Sequence, residues 1–147
     1  MSENKDIQFL ANSVRICFDS NDQEMANGRI CGVALENQIY FHGMTDFVVK
    51  IDEAFNIIGR PQPTRVLRSF SESTPYQSFK GTPEYFYTGE EIGSETGNVQ
   101  TVDLVMLSRH RSEWQGTLKD IDGQLIGKFD TILECINLIE QIQQKKH

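Results

Sequence analysis

Long apolar runs are missing from this chain. None approaches the roughly 18 consecutive residues that a helix needs to cross a bilayer. The opening Met1-Ser2-Glu3-Asn4-Lys5-Asp6 has no apolar core, so no secretory signal is expected. Basic residues are scarce, with 14 Lys and Arg against 21 Asp and Glu and a formal charge of −7. Such a chain repels phosphate backbones and anionic membranes, so neither nucleic acid nor membrane is expected as a partner. Cysteine is rare too. Cys17, Cys31 and Cys135 lie far apart, are odd in number and form no CxxC pair. They read as reduced, buried thiols of a cytoplasmic protein. A Cys17–Cys31 bridge between neighbouring strands is the alternative in an oxidising compartment.

Catalytic motifs are absent as well. The three histidines, His42, His110 and His147, have neither HExxH nor HxH spacing, so zinc has no evident home. There is no GxSxG, no P-loop and no GxGxxG. Glu90-Glu91 lies in a glycine-rich stretch without EF-hand spacing and reads as solvating charge. Cys17 sits in an apolar strand without a clear activating charge, which argues against a nucleophile–base pair with His42. No cofactor, metal or catalytic residue is expected, and the chain does not read as an enzyme.

What is present is a pattern used twice. Val14-Arg15-Ile16-Cys17-Phe18 leads to Gly28, and Val102-Asp103-Leu104-Val105-Met106 leads to Gly116, both over 14 positions. Val14, Ile16 and Phe18 alternate at the period of a half-buried strand. A polar loop is expected over 19–27, then a hairpin of strands 28–35 and 38–42 turning about Glu36-Asn37. Phe47, Ile51, Phe55 and Ile58 fall on one helical stripe, with Gly59 and Pro61 to end it. The second copy repeats the order, with strands at 101–108, 116–121 and 124–129 and a polar loop at 109–115. Asp122-Gly123 is its hairpin signal. A final helix opens on the capping pattern Thr131-Ile132-Leu133-Glu134.

A length of 147 residues suits one domain, which at this size buries roughly 70% of its unfolded surface. The expected class is α+β. Two pseudo-repeated βββα units, 14–59 and 101–144, form antiparallel sheet with two helices packed on an apolar face. One six-stranded sheet is favoured over two three-stranded sheets. Residues 71–100, with five acidic side chains against one basic, prolines 75 and 83, and Tyr76, Phe79, Tyr85, Phe86 and Tyr87, read as a partly mobile acidic-aromatic connector.

Two clusters are candidate binding sites. Arg109-His110-Arg111-Ser112-Glu113-Trp114-Gln115 holds the sole tryptophan beside two arginines, a pairing common at interface hot spots. The competing reading packs Trp114 into the core. Arg60, Arg65 and Arg68 follow the first helix and suit a carboxylate or phosphate held by bidentate hydrogen bonds. The downstream Asp/Asn-x-Ser-x-x-Gly element that accompanies spaced arginines in PilZ domains is missing. A non-catalytic interaction module, binding another protein or a second copy, is the first expectation. A sensor for a small anionic metabolite is the second.

At Arg65-Val66-Leu67-Arg68-Ser69-Phe70, and again at Ser112-Glu113-Trp114-Gln115-Gly116-Thr117-Leu118, the chain resembles a group of small proteins of anaerobic gut Firmicutes, Clostridia among them. Their Trp-Gln-Gly-Thr step precedes a short hairpin, a Phe and a Leu/Ile-rich helix, here Arg109 to Ile142 with Phe129. Pro61-Gln62 and Arg65 match a further stretch. The group carries no assigned activity, so the resemblance implies a bacterial, cytoplasmic setting and transfers no site residues.

Overall fold

The computed structural model describes residues 11–22, 25–59, 84–110 and 113–145. Strands β1 (Ser13–Asp22), β2 (Met25–Cys31) and β3 (Ile39–His42) lead to helix α1 (Met44–Ile58). A one-turn helix α2 (Gly89–Gly93) precedes β4 (Gln100–His110), β5 (Glu113–Asp120), β6 (Leu125–Phe129) and helix α3 (Ile132–Lys145). The fold is α+β, with all six strands in a single antiparallel sheet ordered β3-β2-β1-β4-β5-β6. No described helix is long and apolar enough to cross a membrane.

Alternation explains the layering. Val14, Ile16 and Phe18 of β1 and Val102, Leu104 and Met106 of β4 point to one face, where Phe47, Ile51, Ala54 and Phe55 of α1 and Cys135 and Ile139 of α3 join them in one core. Phe41 and Phe47 meet edge to face with ring centroids 5.1 Å apart, and Phe18 lies 5.6 Å from Phe41. Two glycines permit the close approach beneath these rings. A Cβ on Gly28 would stand 2.0 Å from the Cys17 carbonyl oxygen and 2.9 Å from the tip of Phe41. A Cβ on Gly116 would stand 2.1 Å from the Val105 oxygen and 2.9 Å from the tip of Phe129.

The helix and turn signals are realised. Gly59 takes a left-handed conformation and its N–H closes α1 on the Phe55 carbonyl at 2.8 Å. Gly123 has φ 86°, and the Asp120 carboxylate accepts from the N–H groups of Asp122 and Gln124. The Glu134 N–H donates to Thr131 Oγ1, while the Glu134 carboxylate takes the Asp130 N–H.

The expected loops differ. The polar stretch 19–27 carries the β1–β2 ladder outward to the Asp22–Met25 pair, with a register shift between Phe18 and Ser20. Likewise 109–115 carries β4–β5 to the His110–Glu113 pair, with a shift between Met106 and Ser108. A polar sequence is no bar to these strand ends, because backbone pairing needs no apolar residue. The strand expected to reach Leu35 ends at Cys31, because Leu35 N–H turns back to the Gly32 carbonyl and 33–35 drops into a buried turn.

Candidate functional site

The sheet face opposite the helices carries the chemistry. Arg15 and Cys17 of β1 alternate away from the core, and so do Arg29 and Cys31 of β2, with Arg15 opposite Cys31 and Cys17 opposite Arg29. Asp103 of β4 lies opposite Arg15 on the other side. Arg15 grips Asp103 in a two-pronged pair, Nε to Oδ1 at 2.8 Å and Nη2 to Oδ2 at 2.9 Å, both groups buried. Its Nη1 donates to the carbonyls of Gly93 and Glu95. Arg29 donates to the Asp19 carboxylate, to Glu95 Oε1 and to the Thr96 carbonyl. Two arginines rising from the sheet thus hold the chain over 93–97 as a roof.

Beneath that roof Cys17 and Cys31 share a small apolar pocket with Val33 and Ile92. Both thiols are free and buried, at 0% and 3% exposure. The Cys31 thiol donates to the Arg15 carbonyl at 3.8 Å. The adjoining Cys31 thiol foremost, and then the positive charges of Arg29 and Arg15, hold the Cys17 thiol below its usual range against burial. The neighbouring Cys17 thiol and burial drive Cys31 upward. Burial pushes the Asp103 carboxyl up, more than Arg15 draws it down. Among the described residues, no cluster of His, Cys, Asp and Glu could hold a metal ion.

Upstream of α2 the chain is pinned to the same side of the sheet. The Phe86 and Tyr87 N–H groups both donate to the Val33 carbonyl, and the Tyr87 hydroxyl donates to the Glu36 carbonyl at 2.6 Å. Thr88 and Glu91 satisfy each other's backbone N–H groups in a capping box. Tyr85, Phe86 and Tyr87 nevertheless stay 53%, 38% and 38% exposed. Glu84, Glu90 and Glu91 flank them with exposed carboxylates. This is the described part of the acidic-aromatic connector; residues 71–83 lie outside the described residues.

Of the residues singled out from sequence, the side chains of Arg109, Trp114 and Gln115 are described, and they do not form one exposed surface. Trp114 lies wholly in the helix-side core, and among the described residues its indole N–H meets no acceptor. Its cross-strand neighbour Arg109 turns under α1, where Nη1 donates to Asp52 Oδ1 at 2.8 Å and Asn56 Oδ1 at 3.0 Å, with the guanidinium 5.9 Å from the Phe55 ring centre. Gln115 points to the opposite face and accepts from Ser108 Oγ. Strand alternation therefore divides the expected Trp–Arg surface between the core and the far face. His110 ends β4, with Glu113 opposite it. Arg111, Arg60, Arg65 and Arg68 lie outside the described residues.

The arginine–thiol cluster was missed, although it left a trace. Arg15 interrupts Val14 and Ile16 just as Asp103 interrupts Val102 and Leu104, opposite charges at matching places in two apolar strands. No family model, curated protein or solved structure matches this chain.

Proposed function

We propose that this protein is a non-catalytic interaction module that binds basic segments of a partner protein through the strip at 84–91. The observation that carries the reading is the set of three consecutive exposed aromatic side chains on a backbone tied to the sheet, with carboxylates on both flanks. A fixed backbone reduces the ordering cost of binding. Aromatic faces attract guanidinium and ammonium groups, and carboxylates pair with them. Arg109 adds nothing to the alternative, a sensor for an anionic metabolite, because Asp52 and Asn56 already occupy it.

Selection of random displayed peptides on the protein tests the reading. Bound peptides should be enriched in Arg and Lys, and Phe86→Ala should weaken them about tenfold. Peptides without basic enrichment, or peptides that bind Tyr85→Ala/Phe86→Ala as tightly as the parent, would refute it.

We also infer that the chain is an internal repeat of two βββα units. Several pairs of matching features support this, each 88 positions apart. Gly28 and Gly116 face carbonyls of Cys17 and Val105 and the ring tips of Phe41 and Phe129. The register shift at Phe18/Ser20 matches that at Met106/Ser108. Phe47 and Ile51 of α1 correspond to Cys135 and Ile139 of α3, all in the same core. In this reading a pseudo-twofold axis passes between Arg15 and Asp103, the one β1–β4 pair whose members are each other's counterparts. Among the described residues, the segment 84–99 then covers a face of the first unit.

A further inference from the structure

We infer that Cys17 and Cys31 form a two-electron oxidation site, in which a hydroperoxide oxidises Cys17 and Cys31 closes on it to give a disulfide beneath residues 93–97. The placement carries this. The two thiols sit on adjacent strands, on one face, two residues out of direct register, and in one buried cluster with Val33 and Ile92. Arg29 is the direct cross-strand neighbour of Cys17, and Arg15 lies one pleat away on the same strand and face. Two guanidinium groups beside a thiol favour its thiolate, the form that attacks peroxide. The carboxylates paired with those arginines, Asp19 and Glu95 on Arg29 and Asp103 on Arg15, offset part of that positive charge, and Asp19 draws the Cys17 thiol upward.

The chemistry balances. The Cys17 thiolate attacks the distal oxygen of the hydroperoxide, the O–O bond breaks, and the sulfur becomes a sulfenic acid. The departing alkoxide takes the proton of the neighbouring Cys31 thiol and leaves as an alcohol, or as water when the oxidant is hydrogen peroxide. The Cys31 thiolate then attacks the Cys17 sulfur, an S–S bond forms, and hydroxide departs to be protonated by solvent. Two sulfurs together lose two electrons, and the peroxide gains them.

Access and reversal follow from the same geometry. Cys17 is wholly covered, so the oxidant enters when the roof lifts; hydrogen bonds from Arg15 and Arg29 hold it to the sheet, with the Gly97 N–H on Thr101 Oγ1 and the Val99 N–H on the Phe18 carbonyl anchoring its downstream end. Diagonal cross-strand neighbours typically stand about 7–8 Å apart, against about 3.5–4.5 Å between the Cβ atoms of a disulfide. Closure therefore draws β1 and β2 together locally, and a strained bond of this kind is readily reduced. Cys135 is the internal control. It lies in the opposite core beneath α3, and burial alone pushes its thiol up to about 12.

The test is titration of the fully reduced protein with hydrogen peroxide, followed by acid quench, thiol counting and peptide mapping. One intramolecular disulfide joining Cys17 to Cys31 should form, reversed by dithiothreitol, at least ~10-fold faster than any change at Cys135. Cys31→Ser should stop the reaction at a Cys17 sulfenic acid, captured as a dimedone adduct, and Cys135→Ser should behave as the parent. Three results would overturn the assignment: Cys135 reacting first, disulfides forming only between molecules, or Cys17 and Cys31 surviving peroxide that oxidises the urea-unfolded chain. The mapping on the parent protein decides the matter even if Cys31→Ser fails to fold.

Discussion

A methyl group at Gly28 or Gly116 has nowhere to go. It would stand 2.0 Å from the Cys17 oxygen in one case and 2.1 Å from the Val105 oxygen in the other, and in both the obstacle is main chain. Backbone cannot swing aside as a side-chain end can, so the strands themselves must part. Gly28→Ala and Gly116→Ala are each expected to cost about 3 kcal/mol, as overpacked interior sites do. Gly123 supplies the contrast. It has positive φ but open space around it, so Gly123→Ala should cost only about 1 kcal/mol. Urea unfolding of the three variants checks this. Equal midpoints for Gly28→Ala and Gly123→Ala would mean that the close approach is not a constraint. At this scale sequence reading succeeded where neighbours in the chain decide the outcome, as at Gly59 and Gly123. It left two readings of Trp114 open, of which the core one holds, and it hid the partners of Arg109, which α1 supplies from more than fifty residues earlier.

The elements themselves were largely legible, because alternation and helical stripes are local. Their lengths were not, since a polar strand end such as 19–22 is specified by its partner across the ladder. The pinning of 84–99 to the sheet was equally hidden, because it rests on acceptors at Val33 and Glu36 and on donors at Arg15 and Arg29. Helix α1 shows how an element end depends on one charge. Its N-cap is Gly43, which offers no side chain, and Asp46 in the first turn takes the load. The Asp46 carboxylate accepts from Lys50 Nζ and from the His42 N–H, and these two contacts, Lys50 foremost, hold it below the usual carboxylate range. A carboxyl depressed on folding contributes stability above its unfolded pKa and loses it as pH falls through the folded value. Asp46→Asn should therefore melt earlier than the parent near neutrality, and the gap should close below about pH 4. Thermal melts across that range decide it. A gap that persists in acid would assign the effect to packing.

On the scale of the whole molecule, the sheet is joined across its middle by β1 and β4, and the charged pair at that seam is Arg15–Asp103. An apolar pair there would hold the two halves equally well. What an apolar pair cannot do is reach upward, and Arg15 donates to Gly93 and Glu95 while it grips Asp103. The pair therefore couples the seam of the sheet to the roof over the thiols, and through α2 to the aromatic strip. Removing either partner alone strands a buried charge, so Arg15→Met and Asp103→Leu should each cost about 3–5 kcal/mol. The double variant Arg15→Met/Asp103→Leu should recover to within about 2 kcal/mol of the parent, because both charges leave together. Recovery of stability should not restore the roof. Amide exchange through 92–97 should stay faster in the double variant than in the parent, since the donors to Gly93 and Glu95 are gone. Peroxide should then reach Cys17 sooner. A double variant that regains both stability and slow exchange would reduce the pair to a seam filler, and the roof would owe its position to Arg29, Ile92 and the Gly97 and Val99 N–H bonds.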